Sequence, residues 1–152
     1  CAQRMNQGFS RLYQRYLIGH LRQKLFDKAA RFDLEQLIGL NKRGIKQLKT
    51  FWQFDDLATA PLHGFSGVDD YYARCSARQY LKEIKKPALI IHALDDPFML
   101  PGIVPDEREL SESVELELSQ HGGHVGFISG SVRKPVFWLQ QRIPEYLADF
   151  LR

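Results

Sequence analysis

Two aspartates, Asp95 and Asp96, close the apolar run ALIIHAL, and a glycine-flanked histidine, His124 in HGGHVGF, closes a later alternating run, VELEL. A carboxylate and an imidazole delivered by two strand ends form the acid and base half of a nucleophilic triad. The carboxylate holds the ring, and the ring takes a proton from a nucleophile. By position alone, either aspartate suits that role. Gly122 and Gly123 let the backbone bend so that the His124 ring can reach across the strand ends. A nucleophile does not accompany them. The nearest imitation of a G-x-S-x-G elbow is Gly64, Phe65, Ser66, Gly67 and Val68, which lacks the second motif glycine and follows no strand pattern. An elbow needs small residues on both sides of its serine so that strand and helix can approach, and Val68 denies that. Ser66 therefore reads as a turn serine.

The other reactive side chains read as structural. His92 lies inside the apolar strand and His121 precedes the glycine pair, so both are expected to support the site without taking part. His63, before Gly64, suits a turn, and His20 falls on the apolar side of a helix. Cys1 and Cys75 make neither a disulfide framework nor a metal-ligand spacing, and both are expected to be reduced thiols. No metal or cofactor site is expected.

These residues need elements to position them. Residues 88–94 form a continuous apolar run with β-branched members between Pro87 and the aspartates, which predicts a parallel strand buried on both faces. A helical turn near residues 105–110 leads to a second strand at 114–118, where Val114, Leu116 and Leu118 alternate with Glu115 and Glu117. The tail, 135–151, reads as helical through Trp138, Ile143, Tyr146, Leu147 and Phe150. Pro144 then predicts a break near Gln141 and a final helix from Ile143, since proline is tolerated in a first turn.

Everything before residue 87 reads as helix. Phe9, Leu12, Tyr13, Tyr16, Leu17 and Leu21 recur at three- and four-residue steps, predicting an amphipathic helix capped by Ser10. Asp33 and Gln36 have capping-box spacing for a short helix over 33–40, and 41–44 make a turn. A helix over 44–57 would face Ile45, Leu48, Phe51 and Trp52 inward. The chain is expected to break at Pro61 and the Gly64 to Gly67 bend, then to restart near Asp69 with Tyr72, Cys75 and Tyr80 packed.

At 152 residues and 44% hydrophobic, the chain can bury a sizeable core. No apolar run approaches the roughly 18 residues of a membrane span, and no signal-peptide pattern opens the chain. The net charge of +3 hides an asymmetry. Residues 1–50 carry eleven Lys and Arg against three acids, and the remainder ten against fifteen. A basic helical segment admits binding to nucleic acid or anionic lipid. The basic residues are scattered around the helix faces, so a solvated surface is the preferred reading and no nucleic-acid partner is expected. Two parallel strands cannot close a sheet alone, and the chain begins with Cys1. It is therefore expected to be a piece of a longer cytoplasmic protein whose remaining strands precede it.

KPALIIHALDDPFM followed by HGGHVGFI is similar to the closing acid and base motifs of the α/β-hydrolases. More narrowly, it resembles the YheT-like branch, bacterial relatives of the abhydrolase-domain esterases and lipases. FDDLATAPLHGF and DYYARCSARQYL resemble the stretch between nucleophile and acid in those proteins, and GFSRLYQRYL their helical segment after the sixth strand. The resemblance covers nearly the whole chain. It implies the C-terminal part of a doubly wound, mainly parallel sheet, with residues 1–86 as lid and flanking helices and 87–152 carrying the last two strands and the C-terminal helix. It makes His124 the catalytic base and Asp96 its orienting carboxylate, with the serine and oxyanion-hole loop in the absent N-terminal half. The implied activity is hydrolysis of a small-molecule carboxylic ester with an apolar group, without metal or cofactor. A catalytically silent α/β-hydrolase fold serving as a binding module stands as the alternative.

Overall fold

The computed structural model describes Ala2 and residues 4–151; Cys1, read above as a reduced thiol, lies outside the described residues. The chain divides into two compact units, Cys1–Ser76 and Ala77–Arg152.

The first unit is helical: α1 (Ser10–Ala29), α2 (Leu34–Ile38), α3 (Lys42–Gln47), α4 (Phe51–Phe54), α5 (Ala60–Leu62) and α6 (Val68–Cys75). Short polar side chains start three of these helices. Asp33, Asn41 and Thr50 each accept a bond from the backbone N–H three residues on, at 3.0, 3.0 and 3.2 Å. Gly39 ends α2 in the left-handed conformation at φ 70°. Leu25, Leu34, Leu40, Ile45, Leu48 and Ala58 form the core of the unit.

Helix α1 exists as expected, but the face it buries is a different one. Phe9, Leu12, Tyr13 and Tyr16 are exposed, while Ser10, Gln14, Ile18 and Leu25 are buried. Gln14 explains the rotation. Its Nε2 donates to the Met5 carbonyl and to Asn6 Oδ1, and its Oε1 accepts the Phe51 N–H that begins α4, at 3.0 Å. A buried amide with all these partners is not a desolvation cost, so a polar residue can occupy the inward stripe. Ser10 is accordingly the first residue of α1 and not its cap. His20 is exposed, with Nδ1 3.0 Å from the Tyr16 carbonyl.

The expected helix over 44–57 is two helices divided at Leu48 to Thr50. Ile45 and Leu48 are buried as predicted, whereas Trp52 is exposed. Nor does the chain break at Pro61. From α4 it passes through a π-helical stretch, Asp55–Thr59, directly into α5, which ends at His63. Proline has no N–H to donate, and a π-turn shifts the hydrogen-bond register just ahead of it, so the helix absorbs Pro61. In α6, Tyr72 is half-buried and donates its hydroxyl to Asp55 Oδ2 at 2.6 Å, while the other oxygen of that carboxylate, Oδ1, accepts the Thr59 hydroxyl at 2.8 Å. Burial and this bond to a carboxylate push the Tyr72 phenol well above its ordinary range. Cys75 and Tyr80 are exposed, contrary to the packing expected of them.

In the second unit, β1 (Ala88–Ala93) and β2 (Val114–Ser119) pair in parallel, with Ala88 opposite Val114 and Ala93 opposite Ser119. Among the described residues β1 has β2 as its one neighbour, and it is half-buried except at Ala93, not covered on both faces. The crossover carries two 3₁₀ turns, Pro101–Ile103 and Glu107–Glu109, the second started by a complete capping box between Asp106 and Glu109. Arg78 clamps this crossover. Its Nε and Nη2 grip the two Glu109 oxygens and its Nη1 donates to the Gly102 carbonyl at 2.7 Å, and the guanidinium holds the Glu109 carboxyl down at about 2.

The tail departs from the sequence reading. An antiparallel hairpin, β3 (Ile128–Ser131) and β4 (Lys134–Phe137), occupies residues read in part as helix. Pro135 sits opposite Gly130, and a two-stranded ribbon has only edges, so its missing N–H breaks no ladder in an interior strand. Helix α7 (Leu139–Ala148) then runs without the expected break and contains Pro144 past its first turn. On β2, Glu115 and Glu117 are two residues apart and share a face. Arg142 of α7 reaches both, with Nε 2.6 Å from Glu117 Oε2 and Nη2 2.9 Å from Glu115 Oε1. That bidentate tie fastens α7 to the strand.

Candidate active site

Strand β1 ends at Ala93, and the chain turns at once: the Asp96 N–H donates to the Ala93 carbonyl at 3.1 Å. Asp96 Oδ1 accepts the Phe98 N–H at 2.8 Å, closing an Asp-Pro turn of the Asx type. That bond orients the carboxylate so that Oδ2 meets His124 Nδ1 at 2.8 Å. A carboxylate oxygen cannot donate, so Nδ1 carries the hydrogen and Nε2 is left with the lone pair, the tautomer a general base requires. The Asp96 side chain is 3% exposed and that of His124 43%, an arrangement in which a buried acid steers a ring that still reaches solvent. Phe98 meets the imidazole edge-on, with centroids 5.1 Å apart.

His124 is carried by the loop that follows β2. Gly123 has φ +60°, a left-handed conformation that a side chain would strain. At Gly122 the constraint is space: a Cβ there would lie 2.7 Å from the Phe127 ring and 2.9 Å from Ala93 Cβ. Phe127 is buried and itself holds φ 43°, unusual for a bulky residue. Its N–H donates to the Gly122 carbonyl at 2.9 Å, and its own carbonyl accepts the Trp138 N–H that leads into α7. The loop is thus closed on itself and tied to the helix.

Asp95 does different work. Its Oδ1 accepts the N–H groups of both Gly122 and Gly123, at 3.0 and 2.8 Å, and its Oδ2 lies 3.5 Å from His121 Nδ1. The Gly123 N–H, then the Gly122 N–H and His121, hold its carboxyl below the ordinary range against the opposing effect of desolvation. The structure therefore separates the pair: Asp96 faces the ring, and Asp95 faces the loop backbone. From His124 an apolar cleft of about 440 Å³ extends past Val125 and Phe127, along Leu89 and Ile91, to Tyr146 of α7.

This geometry lies within a stretch shared with a known protein. An esterase named by inference, YheT of Escherichia coli, is 44% identical over 151 residues, 99% of this chain and 44% of its own length. The Monoacylglycerol lipase ABHD2 of Homo sapiens is 34% identical over 99 residues, covering 62% of this chain and 23% of its own. The chain belongs to the YheT-like α/β-hydrolases. An abhydrolase domain-containing protein of Dictyostelium discoideum is 34% identical over 111 residues, covering 72% of this chain and 28% of its own length. The chain spans less than half the length of these relatives. No family model and no solved structure matches it.

The other histidines and Ser66 of this α/β-hydrolase chain have local settings of their own. His92 is half-buried on β1, and His121 is almost wholly exposed beside Asp95. His63 and Ser66 belong to the helical unit, His63 at the end of α5 and Ser66 in the loop before α6, where its N–H donates to Asp70 Oδ2 at 3.0 Å. Among the described residues no strand precedes Ser66, and the loop has none of the strand-to-helix geometry of an elbow. Among the described residues no group of three or more His, Cys, Asp or Glu is placed to hold a metal ion, and no helix is long and apolar enough to cross a membrane. The sequence reading missed Phe127 and the backbone role of Asp95. Phe127 carried no signal of its own. For Asp95 the signal was present, because an aspartate beside the orienting one can reach the same glycine loop.

Proposed function

We propose that this chain supplies the acid and base of a Ser-His-Asp triad in a carboxylic ester hydrolase, with Asp96 as orienting carboxylate and His124 as general base. The observation that carries the reading is the 2.8 Å contact between Asp96 Oδ2 and His124 Nδ1, made in a chain 44% identical to a protein named as an esterase. The serine and its oxyanion hole belong to a preceding segment of a longer chain. With that segment, β1 and β2 continue a doubly wound, mainly parallel sheet, and residues 1–86 serve as lid and flanking helices. The cytoplasm is its place of action.

The steps follow from the tautomer. The serine Oγ attacks the ester carbonyl carbon while His124 Nε2 takes its proton, and Asp96 stays ionised and stabilises the imidazolium. Collapse of the tetrahedral intermediate breaks the C–O bond to the alcohol, which leaves with the proton from Nε2. Water then attacks the acyl-enzyme, again losing its proton to Nε2, and the acid is released with the serine restored. No metal or organic cofactor enters these steps. The apolar lining of the cleft beside His124 favours an ester with an apolar acyl or alcohol group.

The 152-residue chain by itself is expected to give no measurable turnover of a nitrophenyl acyl ester above the buffer rate. Turnover that disappears in Ser66→Ala would place the nucleophile inside this chain and overturn the assignment.

A further inference from the structure

We infer that Asp95 is a positioning residue: its carboxylate fixes the Gly122–Gly123 turn and thereby aims the His124 ring at Asp96. The catalytic consequence rests on the triad reading above, whereas the structural claim stands without it. Two consecutive N–H groups converge on the single oxygen Oδ1, 3.0 Å from Gly122 and 2.8 Å from Gly123. Successive N–H groups in a turn with one left-handed residue form a concave anion site, and Gly123 at φ +60° is that residue. Here the site is filled from within the chain, by a carboxylate on the end of the neighbouring strand.

His124 depends on that tie because little else restrains it. Its side chain is 43% exposed, and its edge contact with Phe98 leaves much of the ring in solvent. The ring direction is therefore set by the backbone that bears it and by the one bond to Asp96. Phe127 secures the loop from its far side, through its N–H to the Gly122 carbonyl and its ring against Gly122. Asp95 secures the near side, joining the residue immediately before His124 to the residue immediately before Asp96. Both members of the pair are thereby referred to one fixed point, and a displacement on the order of 1 Å between reacting groups can cost about a hundredfold in rate.

The test compares Asp95→Ala, which removes the acceptor, with Asp95→Asn, which keeps a neutral oxygen at Oδ1 while losing the charge. In the 152-residue chain, NMR follows the His124 Nδ1 proton and the amide exchange of Gly122 and Gly123. Asp95→Ala is expected to speed exchange at both glycines at least tenfold and to broaden or erase the Nδ1 proton signal, with Asp95→Asn close to wild type. In a chain that also carries the nucleophile, Asp95→Ala is expected to lower kcat roughly tenfold to a hundredfold with KM nearly unchanged, and Asp95→Asn to restore most of it. An Nδ1 proton and glycine exchange unaltered in Asp95→Ala would overturn the inference, and so would equal losses in the two variants, which would assign the effect to charge. Asp95 is itself partly exposed, so truncation should leave the fold intact. If Asp95→Ala does not fold, Asp95→Glu, which keeps the charge and displaces the acceptor by one methylene, gives the same comparison. A longer chain without esterase activity would remove the triad reading, yet the NMR comparison would still decide the role of Asp95.

Discussion

Asp96→Asn, in a chain that also carries the nucleophile, is expected to lower kcat for ester hydrolysis by about three to four orders of magnitude with little change in KM. The size follows from the tautomer and not from lost packing. In the native pair the Asp96 carboxylate can only accept, so His124 Nδ1 keeps the hydrogen and Nε2 stays basic. An asparagine can turn its amide NH₂ toward Nδ1, which then becomes the acceptor and moves the hydrogen to Nε2. That nitrogen can no longer take a proton from serine. The amide also withdraws the negative charge that stabilises the imidazolium. Steady-state kinetics measure the rate, and nitrogen NMR of the imidazole reports the tautomer. A loss below about tenfold, or an unchanged tautomer, would show that Asp96 does not orient the ring.

Gly122→Ala is expected to destabilise the second unit by about 1–3 kcal/mol, the usual range for overpacking a close-packed site, and to displace His124 as well. The new methyl would lie 2.7 Å from two Phe127 ring carbons and 2.9 Å from Ala93 Cβ. Neither neighbour can yield at low cost. Ala93 is a buried residue at the end of β1, and Phe127 is buried with its backbone already in the left-handed region. The ring would have to move, and with it the N–H that closes on the Gly122 carbonyl and the carbonyl that receives Trp138. Gly126→Ala supplies the control in the same loop. Its Cβ would come no closer than 3.4 Å to another atom, so its effect should stay within about 0.5 kcal/mol. Urea unfolding of the two variants gives the comparison, and equal midpoints would remove the steric account of this loop.

The parts of the fold that could be read from sequence are those where apolar pattern and burial agree. β1 is a continuous apolar run closed by aspartates and β2 alternates, and they pair in parallel as predicted. Caps were legible for a similar reason, because Asp33 bonds the backbone N–H of Gln36 whatever surrounds the helix. Helix α1 was misread because burial there follows hydrogen-bond capacity: Gln14 is inward and satisfied, while Phe9 and Tyr16 lie outward. The tail misled by its aromatic and apolar spacing, which suits a helix. Gly130 at φ +81°, where any Cβ would lie 2.5 Å from the Lys134 carbonyl oxygen, instead commits residues 128–137 to a hairpin.

At the site, sequence could bring one aspartate and His124 to adjacent strand ends, but it could not divide the work between Asp95 and Asp96 without the family resemblance. Both precede the same turn, and a shift of one residue exchanges their directions. What separates them is local bonding: the Phe98 N–H turns the Asp96 carboxylate toward the ring, and two glycine N–H groups draw Asp95 to the loop.

Labelling of a longer chain, nucleophile segment included, with a fluorophosphonate serine probe tests the role of His124 most directly, in the wild type and in His124→Ala. The expected result is labelling of the wild type at a serine preceding this stretch and its loss in the variant. A wild-type protein that folds but does not label would contradict it and leave the α/β-hydrolase fold as a binding module.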